Sequence, residues 1–300
     1  MNMATKTAAK PAQKPQTRTE TRPAPVAPRS TEVAKTGGSV AAMTERMRAA
    51  SGMGVSTDQS DNLVPLIYVL QPLSPQVLKG NEKQIEGAEA GFIWLRNDQD
   101  PLIDGDEGML FQPCYFSKDW VEWMPQRKGF VARHATRPKE AELEDVERDD
   151  GSVVKAWTMP SGNRVVETRN HVGFVLREGR RPTPYTIPLS STGHTVSKAW
   201  MFSMNGEQFA DGGTLPSFGA VYRMRTKLKS KNDKNWYQYE VEKECRLDDE
   251  QANELLAGTC ESPLKQFEMG LALHNAFVSG EKAVDAPTSE TDASAGDYDV

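Results

Sequence analysis

The chain has 300 residues, of which 37% are hydrophobic and 26% are charged, and its formal net charge is −6. This length can bury a sizeable core in one large domain or two small ones. No run of 18 apolar residues occurs, which argues against a membrane-spanning helix. The N-terminus also lacks the apolar segment of a secretory signal, so we expect a cytoplasmic protein. The three cysteines are far apart, which excludes a disulfide framework and a cysteine-built zinc site.

Charge is distributed unevenly along the chain. Residues 1–50 carry nine Lys or Arg against three Asp or Glu, a net charge of +6, whereas residues 281–300 carry one Lys against six acidic residues, a net charge of −5. Neither end contains enough apolar surface to offset the entropy of ordering it. We therefore predict a disordered basic region (1–60), a folded domain (61–280) and a disordered acidic tail (281–300). A short amphipathic helix is predicted over 40–50.

Within the folded domain, hydrophobic periodicity and turn residues predict mostly strands. An exposed acidic insertion is predicted over 140–150, where seven residues are acidic. The pattern is typical of a β-rich α+β fold, which we predict to be an OB-like β-barrel core with one inserted helix and C-terminal helices. The predicted strands lie at 62–70, 92–95, 109–116, 120–124, 152–158, 164–168, 172–176, 185–189, 218–229 and 236–247, and the predicted helices at 192–204, 248–257 and 263–278.

The hairpin predicted over 218–247 carries the clearest functional pattern. Basic residues alternate along its first strand, so one face of that strand presents a row of cations: Arg223, Arg225, Lys227 and Lys229. A turn centred on Asn232 and Asp233 sets these four residues opposite Glu242, Glu240, Gln238 and Trp236, respectively.

Two interpretations of this hairpin remain open. In the first, cross-strand ion pairs neutralise Arg223 and Arg225 and the hairpin is simply a solvated surface. That interpretation leaves a cluster at the hairpin tip without carboxylates: Lys227, Lys229, Lys231 and Lys234. In the second, these cations follow the phosphates of a single-stranded nucleic acid while the neighbouring Trp236 stacks on an unpaired base.

Two further groups of residues suit the same chemistry. Trp120 with Arg127 and Lys128 could stack on a base and neutralise phosphate, although Trp is more often a core residue. Arg180 and Arg181 lie beside Gly179 in a loop, where they contact either phosphate or water. At the chain end, an acidic segment around one aromatic residue could recruit partner proteins: Asp292, Asp297, Tyr298 and Asp299.

Signals of catalysis are scarce. The four histidines are widely separated and show no metal-ligand spacing, and no Gly-rich phosphate loop is present. Glu240 and Glu242 near Lys243 suggest a nuclease strand, but Val241 occupies the position where the acidic residue is needed. We therefore expect no catalysis, no cofactor and no metal.

Several segments resemble known sequences. The β-rich core, the basic-aromatic hairpin and the acidic tail together resemble phage-encoded single-stranded DNA-binding proteins with an OB-type core. Residues 70–77 (LQPLSPQV), 120–125 (WVEWMP) and 187–192 (IPLSST) resemble stretches of tailed-phage proteins. The resemblance covers about 61–247, and it implies sequence-tolerant binding of single-stranded DNA during replication or recombination.

The sequence thus favours a non-enzymatic single-stranded DNA-binding protein in the host cytoplasm, which recruits replication or recombination proteins through its tail and is compatible with a homo-oligomer. Two alternatives stay open. One is a virion or assembly protein whose charged tails bind other proteins. The other is a metal-dependent nuclease, which requires carboxylates that converge in a cleft.

Overall fold

A computed structural model provides the structure of the chain, which divides into two compact units, Met1–Val55 and Ser56–Val300. In the first unit, Met43 and residues 45–47 are helical, in agreement with the predicted helix. The rest of that prediction, and the predicted disorder of the basic region, lie outside the described residues. In the second unit, the structure describes residues 62–125, 129–147, 153–231 and 234–287.

The described part of the second unit is dominated by strands, which confirms the predicted β-rich α+β class. Its elements follow in this order: β1 (Leu63–Val64), β2 (Ile67–Val69), β3 (Ile93–Leu95), β4 (Leu102–Ile103), β5 (Met109–Trp123), β6 (Phe130–His134), β7 (Glu142–Glu147), β8 (Val153–Thr158), β9 (Arg164–Leu176), β10 (Thr183–Ser190), α1 (Gly193–Gly206), a 3₁₀ turn (Ser217–Gly219), β11 (Ala220–Lys231), β12 (Lys234–Arg246), α2 (Ala252–Leu255), α3 (Pro263–Val278) and β13 (Ala283–Val284).

Eight of the described strands form one antiparallel sheet built around β5 and β9, which pair along almost their whole lengths. At one end of this central pair the order is β12-β11-β5-β9-β10, and at the other end it is β6-β5-β9-β8-β7. The described strands therefore follow an open path rather than a closed ring. β2, β3 and β4 form a separate three-stranded sheet.

The two central strands are longer than predicted. The sequence predicts a break between 109–116 and 120–124, because the polar residues 117–119 interrupt the apolar pattern. In the structure this polar stretch continues the ladder, with Ser117 opposite Asn170 and Asp119 opposite Thr168. The polar residues 117–119 therefore interrupt the apolar pattern of β5 but do not end the strand.

Both faces of the sheet are covered, each by one helix. Alternate residues of β5 point to opposite sides, so Phe111 packs into a core with Trp200 of α1, whereas Leu110 packs into a second core with Leu273 of α3. The inserted helix and the longer C-terminal helix were both predicted, and α3 begins with Pro263 after the capping residue Ser262. Helix α1 places its first turn against the hairpin.

Residues 66–71 lie between the two outer strands β10 and β12. Leu66 forms a parallel bridge to Thr186 of β10. The Gln71 side chain accepts a hydrogen bond from the Tyr237 N–H at 2.8 Å and donates one to the Tyr237 carbonyl at 2.8 Å. This segment connects β12 to β10 through single hydrogen-bonded contacts and does not pair with β12 as a strand.

Two predicted irregular segments contain strands. Within the acidic insertion, β7 pairs with β8 as an exposed edge strand, with Leu143 opposite Trp157 and Val146 opposite Val154. In the predicted tail, β13 pairs in parallel with β1, so the described body extends to Pro287. Ala283 and Val284 supply the short apolar stretch that makes this pairing favourable.

Among the described residues, no helix is both long and apolar enough to cross a membrane.

Candidate nucleic-acid interface

The basic hairpin of β11 and β12 has the predicted register. Arg223 lies opposite Glu242, Arg225 opposite Glu240, Lys227 opposite Gln238 and Lys229 opposite Trp236. The residues that alternate with these cations form the opposite face of β11, where Tyr222, Met224 and Thr226 are buried in the core. Leu228, the next residue on that face, is 52% exposed, because the hairpin tip extends beyond the core.

The ion pairs on the cationic face run diagonally, which corrects the predicted directly opposite pairs. Arg223 pairs with Glu244 at 2.8 Å, Arg225 with Glu242 at 3.2 Å and Lys227 with Glu240 at 3.1 Å. Long side chains reach diagonal neighbours of an antiparallel pair.

Lys227 therefore has a carboxylate partner, contrary to the prediction. The hydrogen bond from Arg223, opposed by partial burial, lowers the pKa of the Glu244 carboxyl. Three of the four alternating cations are neutralised within the hairpin.

The remaining cations concentrate at the hairpin tip. Lys229 and Lys231 are exposed, and neither has a carboxylate partner among the described residues. Lys234 lies opposite Lys231 and is half-buried. Trp236 shares their face but is only 8% exposed, so it lies at the base of this cluster.

A cavity of about 590 Å³ lies where this tip meets β8, β9 and the first turn of α1. We call it the stacking groove. Its lining brings together aromatic and basic side chains from five strands: Trp120, Lys155, Trp157, Arg164, Lys231 and Trp236. Of the residues predicted to bind nucleic acid, the structure thus places Trp120, Lys231 and Trp236 around one cavity.

Trp120 and Trp157 form an edge-to-face pair, with ring centroids 6.4 Å apart and an angle of 89° between the planes. They can meet because Trp120 lies opposite Glu167 on β9, and Trp157 lies opposite Val165 of the same strand. Residues at i and i+2 of a strand share a face, so both rings project from one side of the sheet.

The Arg137 guanidinium lies 3.7 Å from the Trp157 ring centre and 5.9 Å from the Trp120 ring centre. Arg137 thus supplies the cation beside Trp120 that was predicted to come from Arg127 and Lys128, which lie outside the described residues. Trp157 was not singled out from the sequence. The alternation of Val153, Lys155 and Trp157 on a strand next to a turn was the signal that could have found it.

The groove is lined by more cations than carboxylates. Lys155, Arg164 and Lys231 line it, and the acidic residue in its lining is Glu167. Glu167 accepts a hydrogen bond from Arg169 at 3.1 Å and lies 4.0 Å from Lys118. The groove therefore suits an anion that carries flat apolar groups.

A buried carboxylate lies on the same strand face as Trp120. Glu122 is 7% exposed, and its two oxygens contact the His134 ring at 2.9 Å and the Asn163 amide at 2.7 Å. Burial alone would raise the pKa of this carboxyl, but the hydrogen bonds from Asn163 and His134 lower it overall. Glu122 therefore stays ionised and ties β6 and the β8–β9 turn to β5.

The other predicted site residues lie elsewhere. Arg180 pairs with Asp98 at 3.4 Å and with Asp100 at 3.1 Å. Arg181 lines a separate cavity beside α3. The acidic-tail residues Asp292, Asp297, Tyr298 and Asp299 lie outside the described residues.

No group of three or more His, Cys, Asp or Glu side chains within the described ranges is placed to hold a metal ion.

Comparisons with known proteins give one family. The chain matches the family described as Pam3 phage gp34-like protein over residues 34–283. No curated protein and no solved structure matches it. The match covers the hairpin, the stacking groove and all three described helices of the second unit.

Proposed function

The chain belongs to the Pam3 phage gp34-like protein family, and we propose that this phage protein binds single-stranded DNA without sequence preference. In this proposal the protein acts in phage DNA replication or recombination in the host cytoplasm, and it binds DNA without catalysis. The acidic tail contacts replication or recombination proteins.

The stacking groove is the observation that carries this proposal. Single-stranded nucleic acid requires cations for its phosphates and flat side chains for its unpaired bases. Trp120 and Trp157 supply aromatic surface, and Lys155, Arg164 and Lys231 supply positive charge along the same cavity.

Bases paired in a duplex are stacked on each other and do not present their faces to a protein, so aromatic residues favour an unpaired strand. Stacking accepts every base and phosphate contacts carry no sequence information, which supports binding without sequence preference.

The test is a tryptophan-fluorescence titration with poly-dT at two salt concentrations. The wild-type protein should show quenching on binding, and its affinity should fall as salt rises. Lys155→Glu should weaken binding because it reverses a charge in the groove.

Lys265→Glu is the matched control, because Lys265 is an exposed lysine of α3 outside the groove lining. Equal affinities of both variants and the wild type would contradict the assignment of the groove. A protein that ignores oligonucleotides at low salt but co-purifies with phage particles would favour the virion or assembly alternative.

A further inference from the structure

A second cavity, of about 340 Å³, lies between α1 and β12. We call it the α1–β12 cavity. Its lining includes side chains from both faces of β12, such as Tyr239 and Glu240, so it runs along the outer edge of this strand. Val196 and Ala199 of α1 form the facing wall. Its volume falls within the range of small-ligand sites, about 300–1,000 Å³.

Two buried polar groups in this lining lack partners. The indole N–H of Trp200 and the hydroxyl of Tyr239 form no hydrogen bond to any described group. Trp200 is 2% exposed and Tyr239 is 6% exposed, so bulk water does not compensate either group. Buried polar groups are normally hydrogen-bonded, and an unsatisfied one lowers the stability of the fold.

The backbone of β12 adds further hydrogen-bonding groups at the same edge. The Tyr237 N–H and carbonyl point away from β11, because both bond to Gln71. Residues two apart on an antiparallel strand point the same way, so Tyr239 also directs its N–H and carbonyl outward. The N–H of Thr226, which lies opposite Tyr239, accordingly donates to the Gly105 carbonyl at 2.9 Å. This edge of β12 offers a donor and an acceptor side by side.

The α1–β12 cavity adjoins the stacking groove. Thr195 and Gln238 line both cavities, and the Gln238 amide donates to the Thr192 carbonyl at 3.2 Å between them. The two tip lysines are divided between them, with Lys231 at the groove and Lys229 at the α1–β12 cavity. A strand in the groove would therefore find its next cation at the mouth of this cavity.

We propose that the α1–β12 cavity binds one unstacked base of the bound DNA strand, an inference that rests on the proposed function. The base lies between Val196 and Ala199 on one side and the edge of β12 on the other. Its Watson–Crick edge, which carries donors and acceptors, pairs with the outward backbone groups of Tyr239. Lys229 holds the adjoining phosphate.

The experiment compares oligo-dT with an oligonucleotide of equal length and charge that contains abasic sites. The wild type should bind oligo-dT more tightly. Ala199→Phe fills the cavity from the exposed side of α1, and it should lower the oligo-dT affinity by about tenfold while leaving the abasic affinity unchanged. Asn205→Phe places the same side chain at an exposed position of α1 outside the cavity lining, and it should behave as the wild type.

The other outcomes are distinct. If the wild type binds neither oligonucleotide, the proposed function itself fails. If the wild type binds oligo-dT, and Ala199→Phe binds it with wild-type affinity, the base site is wrong and the groove remains. If dTMP alone binds as tightly as oligo-dT, the cavity is a site for a free mononucleotide, and its assignment to a DNA strand is overturned.

Discussion

Arg137 places its guanidinium 3.7 Å from the ring centre of Trp157 and within 5.9 Å of that of Trp120. One exposed cation thus lies over two indole rings, which pack edge-to-face against each other. A base that stacks in the groove must use the remaining surface of these rings or take the place of Arg137. In the second case the displaced guanidinium becomes available to a phosphate. Arg137 then contacts the indole rings in the free protein and the phosphate in the complex.

We expect Trp157→Ala to weaken poly-dT binding by about 1–3 kcal/mol, the usual value of one base–aromatic stack. The fluorescence quench on binding should also become smaller. Titration of both proteins at one salt concentration measures the difference. Phe202→Ala is the control, because Phe202 is an 83% exposed aromatic residue of α1 outside the groove lining. If both variants lose the same affinity, Trp157 has no special role.

The second prediction concerns the salt dependence of binding. If Lys155, Lys229 and Lys231 each neutralise one phosphate, log affinity should fall with log salt with a slope of about −0.7 × 3, or roughly −2. Charge reversal of Lys229 and Lys231 together should weaken binding to all sequences alike. Lys231→Gln alone should reduce the slope by about 0.7.

Lys227 provides the comparison, because Glu240 already neutralises it at 3.1 Å. Replacing both partners, Lys227→Gln with Glu240→Gln, should leave the slope unchanged. A slope that falls as much in this double variant as in Lys231→Gln would show that position along the hairpin does not matter.

The third prediction concerns the acidic tail. Residues 288–300 carry four acidic residues and no basic one. They follow Pro287, which lines a small cavity together with Val166, and Val166 also lines the stacking groove. The sequence predicts a disordered tail, and a disordered chain of thirteen residues reaches roughly 5–6 Å × √13, or about 20 Å, so we expect the tail to compete with DNA for the groove.

Removal of 288–300 should raise the affinity for poly-dT at low salt, and the gain should shrink as salt screens the tail. It should also abolish binding to replication partners. The deletion should start after Pro287, because Arg96 pairs with Asp285 at 3.2 Å and β13 belongs to the fold. Equal affinities of the full-length and shortened proteins at low salt would rule out this competition.

The fourth prediction concerns a buried histidine. Burial, together with the charge of Arg169, lowers the pKa of His171 from 6.5 to about 3. The ring contacts the Ser197 hydroxyl at 2.8 Å and stacks on Trp200 at 4.4 Å. Between pH 6.5 and 3 the unfolded chain takes up a proton at this position and the folded protein does not. Its stability should therefore fall with decreasing pH by up to about 1.4 kcal/mol per pH unit.

Urea denaturation at pH 7.5 and pH 5.5 measures this effect. His171→Gln keeps a polar group near Ser197 but removes the titrating ring, so the variant should lose less stability between the two pH values than the wild type. The two proteins differ at this position alone, so every other contribution cancels in the comparison. An equal loss in both proteins would mean that His171 does not resist protonation.

Local patterns allowed much of the hairpin to be predicted. The alternation of Arg223 to Lys229 and the turn at Asn232 and Asp233 fixed the register, because side chains alternate strictly along a strand. The diagonal ion pairs could not be read in the same way, since they depend on the reach of long side chains between neighbouring strands.

The stacking groove could not be predicted as a unit. Trp120 and Trp236 are more than one hundred positions apart, and they line one cavity only because α1 and the hairpin pack beside β8 and β9. Each Trp alone is as compatible with a core as with a site, and the sequence does not show which cations are already neutralised. Lys227 and Arg180 are examples of cations that the fold pairs with carboxylates.

The pairing of β1 with β13 has a mechanical consequence. The two short strands run parallel, with Leu63 beside Ala283 and Val64 beside Val284. A force that pulls on the chain before β1 and after β13 draws these two strands in opposite directions along their common axis. The hydrogen bonds between them are then loaded together in shear, and this short ladder, with the Arg96–Asp285 ion pair beside it, has to yield before the force reaches the central sheet.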